Sequence, residues 1–190
     1  MVTGENVELI FLIDVSKPMI DKQKSIVDCF NRTVNVERFK NSNTLVSVVA
    51  FSKKKTLICD RKSISSIGQL YINNSNDNEN TFLDVLGDEI IKFETIHKYL
   101  PTRFIKTVFV VASDNLNDCS YKYTTSELRE IVNKKKEEGW EFNFIGRASL
   151  KLENVSVENK KETNVSRLKD IITGFLFEDD LIEGEMGNEE

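Results

Sequence analysis

The sequence predicts an α/β protein with a mostly parallel central sheet, covered by helices on both faces in a three-layer, doubly wound arrangement. The first observation is an unbroken apolar run at residues 9–13, which is short enough for a strand buried on both faces and too short for a core helix. The second is that apolar strand segments alternate with segments of helical periodicity, which requires parallel strands joined by right-handed crossovers. The third is that oxygen-bearing side chains follow two of the buried runs. They therefore lie at the carboxyl ends of the strands, where such folds bind ligands.

Periodicity places the individual elements. Apolar or alternating runs predict strands at 9–13, 45–51, 104–112 and 140–145, and a hairpin adds an antiparallel edge strand at 56–59. Helical spacing of apolar residues predicts helices that begin near residues 18, 81 and 125, with a last helical segment at 165–177. The polar run 73–80 has no apolar residue, so we expect an exposed, mobile loop there.

Length and composition predict a single domain. The chain has 190 residues, of which 39% are hydrophobic and 12 are Phe, and this is enough to bury a substantial core. We assign residues 1–177 to the domain. Residues 178–190 hold seven acidic side chains and no basic one, so we predict a disordered acidic tail.

Charge and cysteine usage exclude several classes of function. The formal net charge is -5 and the predicted pI is about 5.2, which argues against nucleic acid or an anionic membrane as the main partner. The three cysteines are widely spaced and form no Cys-x-x-Cys pattern, so neither a disulfide framework nor a zinc site is indicated. With no signal-like or membrane-spanning apolar segment, the expected location is cytoplasmic.

Hydroxyl and carboxylate groups occur at three points in the predicted fold, where a strand ends or a helix begins. Asp14 and Ser16 follow the first strand, Thr81 begins a helix, and Asp114 follows the strand at 104–112. Because the carboxyl ends of parallel strands share one rim, we expect these groups to converge. Hard oxygen ligands without His or thiolate suit Mg²⁺, or Mn²⁺ or Ca²⁺, rather than zinc or copper. The sequence therefore predicts a divalent-cation site.

The segments around these residues resemble the metal-ion-dependent adhesion site of von Willebrand factor A-type domains, which combines Asp-x-Ser-x-Ser with a distant Thr and a distant Asp. The matching segments, in chain order, are Asp14-Val-Ser16-Lys-Pro18, Asn80-Thr81-Phe-Leu-Asp84 and Ser113-Asp114-Asn115. The likeness covers roughly residues 7–145, and residues 140–146 look like the corresponding stretch of small bacterial and phage members. The resemblance implies a Rossmann-like von Willebrand factor A fold.

The resemblance also implies a function and a role for each site residue. Ser16 and Thr81 would bind the metal directly, Asp14 and Asp114 would act through water, and an acidic residue of a partner protein would complete the coordination. The chain would then be a non-enzymatic protein-binding module. Pro18 stands where the family has its second serine, and proline has no hydroxyl, so a weaker, degenerate site is expected.

Each site residue also has a purely structural interpretation. Ser16 and Thr81 could cap the helices that follow them, and Asp14 and Asp114 could be exposed loop carboxylates. The ligand interpretation rests on the convergence of all four groups at one rim.

Two further functions compete with metal-dependent binding. One is a metal-dependent phosphohydrolase that uses Asp14 as its nucleophile, although Ser16 stands where a haloacid-dehalogenase-type enzyme has its general acid. The other is a scaffold domain of the same fold whose metal site is lost. Nucleotide and acyl-transfer enzymes are not indicated, because the chain has no glycine-rich phosphate loop and no Gly-x-Ser-x-Gly elbow.

Overall fold

The structure, a computed structural model, describes residues 6–40, 43–100, 105–114 and 117–146. The strands are β1 (Asn6–Asp14), β2 (Thr44–Phe51), β3 (Lys55–Ser63), β4 (Ile105–Ala112) and β5 (Glu141–Ile145). The α-helices are α1 (Gln23–Lys40), α2 (Phe82–Tyr99) and α3 (Thr125–Glu137), and short 3₁₀ helices span Lys17–Lys22 and Ile64–Ser66. The segment predicted as helical at 165–177 and the acidic tail at 178–190 lie outside the described residues, so the domain boundary stays a prediction.

The five strands form one sheet in the order β3-β2-β1-β4-β5. β1 is parallel to both β2 and β4, and β5 is parallel to β4. β3 is antiparallel to β2 and lies at the edge. This confirms the predicted fold class, including the single antiparallel edge strand. Because the chain winds away from β1 in both directions, the carboxyl end of β1 is the switch point at which doubly wound sheets bind ligands.

Both faces of the sheet are covered by helices. One face packs against α1, where Phe30 contacts Phe11 edge-to-face with ring centroids 4.7 Å apart. The other face packs against α2 and α3, where Phe93 meets Phe109 at 6.1 Å. The central strand is therefore apolar at consecutive positions, because a strand covered on both sides has no solvent face to alternate with. No helix in the described ranges is both long and apolar enough to cross a membrane.

An aromatic stack fills the start of β5. Trp140 stacks on Phe109 with centroids 5.9 Å apart and an interplanar angle of 14°, and Phe142 stacks on the same ring at 5.1 Å. The imidazole of His97 meets the edge of Trp140, and the Lys135 ammonium lies 5.1 Å from the indole centroid. The stack ties α2 and α3 to the end of the sheet opposite the carboxyl rim.

Two elements differ from the prediction. The chain does not enter an α-helix at Pro18 but first forms the 3₁₀ helix Lys17–Lys22, whose first turn accommodates the proline ring. β3 runs over Lys55–Ser63 rather than 56–59, and its register against β2 shifts twice. Most of β3 is exposed, so it lacks the apolar pattern by which its extent could have been recognised.

A buried ion pair links β1 to this irregular edge strand. The side chain of Glu8 is 1% exposed, and its Oε1 accepts a hydrogen bond from Arg61 Nε at 2.8 Å, with a second guanidinium nitrogen 2.6 Å away. Arg61 has a positive φ of 47° and its backbone N–H donates to Ser47 Oγ, so the bulge directs the guanidinium inward. Burial raises the pKa of Glu8, and the Arg61 guanidinium opposes that shift.

Candidate metal centre

The Asp14 carboxylate lies at the centre of the carboxyl rim. It is 2% exposed. Its Oδ1 accepts a hydrogen bond from the Ser16 backbone N–H at 2.9 Å, and its Oδ2 accepts from Asn80 Nδ2 at 3.0 Å and from Ser113 Oγ at 2.7 Å. Burial raises the pKa of Asp14, and the hydroxyls of Ser16 and Ser113 oppose that shift. One carboxylate therefore holds together three segments that are far apart in sequence.

The Ser16 side chain is buried and has no hydrogen-bond partner within residues 6–40, 43–100, 105–114 and 117–146. Its Oγ is enclosed and makes no hydrogen bond of normal geometry, although it lies near enough to the Asp14 carboxylate to lower that group's pKa. It does not cap the 3₁₀ helix that begins at Lys17, so the interpretation of Ser16 as a helix cap is wrong. A buried hydroxyl without a hydrogen bond is costly, and a bound ligand would remove that cost.

Thr81 also fails to cap its helix. It precedes α2, but its side chain makes no capping hydrogen bond. Instead its Oγ1 donates to the backbone carbonyl of Ser52 at 3.1 Å, and its own N–H donates to the same oxygen at 3.0 Å. Because the hydroxyl proton is committed to that carbonyl, the lone pairs of the Thr81 oxygen stay available to a cation.

Asp114 is a buried carboxylate in an ion pair. It is 7% exposed, and Lys22 Nζ donates to both of its oxygens at 2.8 and 3.1 Å. Its negative charge contributes to the raised pKa of Asp14, which places the two carboxylates within electrostatic reach of each other. The interpretation of Asp14 and Asp114 as exposed loop carboxylates is therefore wrong.

The loop before α2 is anchored by several hydrogen bonds. Asp77 Oδ2 accepts from the hydroxyls of Ser52 and Ser75, both at 2.8 Å, and these two hydroxyls lower the pKa of Asp77. The backbone carbonyl of Asp77 accepts from the Lys17 N–H at 2.8 Å. The end of the loop is buried, with Asn80 only 1% exposed, so the expectation of an exposed loop is wrong for that residue.

Asp84 links the start of α2 to the loop that precedes α3. Asp84, in the first turn of α2, accepts hydrogen bonds from three consecutive backbone N–H groups, with N···O distances of 2.9 to 3.3 Å. The donors are Tyr121, Lys122 and Tyr123. Asn80 is bridged to the same loop, since the N–H of Cys119 donates to its carbonyl at 2.8 Å. The segment 80–84 and the loop 117–123 therefore hold one another in place.

The structure joins the segments that carry the predicted residues at Asp14, through partners that the sequence did not reveal. Asn80 and Ser113 contact Asp14 directly, and each immediately precedes a predicted ligand, Thr81 and Asp114. Ser113 could have been suspected because it is a hydroxyl directly after a buried strand. Asn80 belongs to an asparagine-rich run that reads as a loop, and Lys22 is indistinguishable from any surface lysine.

The residues present fit a hard divalent cation. The segments joined at Asp14, which together we call the crevice, carry two hydroxyls and two carboxylates, and one of the hydroxyls, that of Ser16, has no hydrogen-bond partner among the described residues. Pro18 adds no oxygen, and Asn115 lies outside the described residues. No group of three or more His, Cys, Asp and Glu side chains in the described ranges could hold a metal, so the hydroxyls are essential to any site here.

Gly146 bounds the crevice and provides a first test of its packing. Its φ is +89°, and a Cβ there would lie 2.8 Å from both Asp114 Oδ1 and the Ser113 carbonyl. Gly146→Ala is expected to lower the free energy of unfolding by about 2 kcal/mol, because it adds crowding to backbone strain. Urea denaturation would measure it. The matched control is Gly139→Ala, which has a φ of +92° but open space around its Cβ and should lose only about 1 kcal/mol. Equal losses would contradict the close approach to Asp114.

Solved structures of other proteins have a similar fold. No family model and no curated protein matches the chain. Proximal thread matrix protein 1 from the mussel byssus is similar with a TM-score of 0.57 at 13% identity, over 94% of this chain and 48% of that protein. A further structure of it, with a zinc-occupied MIDAS motif, has a TM-score of 0.55 at 14% identity, over 89% and 45%. This chain thus spans about half the length of the mussel protein.

A parasite protein is similar to the same degree. Manganese-loaded TRAP protein from Plasmodium vivax has a TM-score of 0.55 at 15% identity, over 90% of this chain and 74% of that one. At such identities the likeness establishes architecture alone.

Proposed function

On the premise that the chain has the von Willebrand factor A-type fold, we propose that it is a non-enzymatic protein-binding module that recognises a carboxylate of its partner through a divalent cation. The cation would lie at the carboxyl rim of the sheet. Ser16 and Thr81 would bind it directly, and Asp14 and Asp114 would act through water. The single observation that carries the proposal is the buried Ser16 hydroxyl, which has no hydrogen-bond partner in the part of the chain that the structure describes.

The proposed cation is Mg²⁺, Mn²⁺ or Ca²⁺, which prefer oxygen ligands of this kind. When bound, it would supply a coordination position open to a carboxylate. Zinc in the mussel protein and manganese in the Plasmodium protein support a divalent cation in general. All three cysteines are free thiols, which supports the proposed cytoplasmic location.

One set of contacts argues against the phosphohydrolase, and another contact favours the scaffold. Asp14 is a poor candidate for a phosphohydrolase nucleophile, because both of its oxygens accept hydrogen bonds and the side chain is 2% exposed. A scaffold whose metal site is lost is favoured by one observation. The Lys22 ammonium already neutralises Asp114, so the crevice carries less negative charge than two free carboxylates would give.

Calorimetric titration with Mn²⁺ and Mg²⁺ tests the proposal. We expect wild-type protein to bind with a Kd on the order of 10⁻⁴–10⁻³ M, the weak end of the range for oxygen-ligated cations. Ser16→Ala should weaken binding at least tenfold. The same change should lower the stability of the metal-free protein by less than about 1 kcal/mol, because the Ser16 hydroxyl makes no hydrogen bond of normal geometry and affects only the Asp14 carboxylate nearby.

Ser65→Ala is the matched control, since Ser65 is exposed in the 3₁₀ helix Ile64–Ser66 and contacts no residue of the crevice. It should leave metal binding unchanged. Absence of heat and of any thermal shift at millimolar metal would overturn the proposal in favour of the scaffold. If metal binds, capture of a protein partner should be lost on addition of EDTA.

A further inference from the structure

The ion pair between Lys22 and Asp114 is the least expected feature of the crevice. Lys22 is the last residue of the 3₁₀ helix Lys17–Lys22, and its ammonium contacts both oxygens of Asp114, at 2.8 and 3.1 Å. The two partners differ in their surroundings, because the side chain of Lys22 is 54% exposed and that of Asp114 is 7% exposed. A flexible cation thus reaches from solvent onto a buried carboxylate.

We propose that Lys22 is a tethered competitor for the divalent cation. In the metal-free protein its ammonium neutralises Asp114, and it must move away before a metal ion can use that carboxylate. This inference rests on the proposed metal-binding function and adds a threshold to it: the site takes up metal only when the metal concentration suffices to displace the lysine.

Electrostatics makes the two states alternatives. Asp114 directly follows Ser113, whose hydroxyl donates to Asp14 Oδ2 at 2.7 Å, so without any cation two neighbouring buried carboxylates would repel one another. Lys22 relieves that repulsion with a single positive charge. A divalent ion held beside Asp114 through water would relieve it more strongly and would repel the ammonium that contacts the Asp114 oxygens. Only one of the two cations is therefore expected to pair with Asp114 at a time.

The exposed side chain of Lys22 can move away from Asp114. Its exposed four-carbon stem can rotate into solvent without a change in the backbone, and the strongly hydrated ammonium is stable there. The position of Pro18 in the same short helix has a related effect, because it withholds a hydroxyl ligand. Both residues lower the affinity of the crevice for metal, Pro18 by removing a donor and Lys22 by competing for one.

Lys22→Gln separates the competitor from the site. We expect the variant to bind Mn²⁺ about tenfold more tightly than wild type by calorimetry, because the ion no longer has to displace an ammonium. Without metal, in EDTA, the same variant should have a Tm lower by about 2–4 °C, since Asp114 is left buried without its cation. Lys24→Gln is the matched control: it makes the same change in net charge two residues away, in α1, where Lys24 is exposed. It should change neither the Mn²⁺ affinity nor the Tm.

The possible outcomes distinguish this inference from the proposed function. Tighter Mn²⁺ binding by Lys22→Gln than by wild type, with Lys24→Gln unchanged, supports competition. If wild type and Lys22→Gln bind Mn²⁺ with equal affinity, the competitor role is overturned while the metal-binding function stands. If neither protein binds Mn²⁺, both are overturned.

Discussion

Asp14→Ala is expected to lower the free energy of unfolding by about 3–4 kcal/mol, because it removes the buried acceptor that three donors share. Those donors are the Ser16 N–H, the Asn80 amide and the Ser113 hydroxyl, and they come from three different segments of the rim. Relief of the cost of burying the carboxylate offsets only part of the loss. Urea denaturation in EDTA, so that no metal contributes, measures the effect.

Asp28→Ala is the control for Asp14→Ala. Asp28 is exposed on α1, and its loss should change the free energy of unfolding by less than about 0.5 kcal/mol. If the two variants proved equally stable, Asp14 would not hold the rim segments together. The preassembly of the crevice would then need another explanation.

Arg61→Met is expected to lower the free energy of unfolding by about 3–5 kcal/mol at pH 7, because it leaves the Glu8 carboxylate buried and unpaired. The loss should shrink in acid. Burial already raises the pKa of Glu8 above its ordinary value of 4.5, and removal of the opposing guanidinium raises it further. A carboxyl whose pKa is raised on folding stabilises the protein most below its ordinary pKa, and that contribution is lost as the pH rises through the folded-state pKa. The deficit relative to wild type should therefore narrow between pH 7 and about pH 4.5.

Two variants identify the cause of that deficit. Glu8→Gln introduced into Arg61→Met should recover much of the stability at pH 7 and remove the pH dependence, because no buried charge is left. Lys62→Met, next in sequence but exposed, should be close to neutral. A deficit in Arg61→Met that does not change with pH would show that lost packing, rather than the charge of Glu8, is responsible.

The predicted fold was confirmed because its strongest signals come from burial. The run at 9–13 is apolar at consecutive positions, and β1 proves to be the central strand with helices on both faces. The same physics placed Asp14 and Asp114 correctly at strand ends, since a carboxylate directly after a buried strand has to lie at the rim. Here the parallel sheet converts order in the sequence into proximity in space.

The details of the crevice could not be predicted, because they depend on side chains that meet only after folding. Asn80 and Ser113 are separated from Asp14 by 66 and 99 residues, and no local pattern marks an acceptor shared at that distance. Lys22 has helical neighbours and an exposed stem, so its ammonium could not be assigned to a buried carboxylate. The inward direction of Arg61 depends on a register shift in an exposed strand, which has no hydrophobic signature.

The aromatic stack has a practical consequence for such experiments. Trp140 is the only tryptophan in the chain, and it packs on Phe109 at the opposite end of the sheet from the rim. Its intrinsic fluorescence should therefore follow global unfolding of every variant without direct quenching by a paramagnetic ion such as Mn²⁺ in the crevice. A change in emission on addition of metal to the folded protein would thus signal a displacement transmitted along β4.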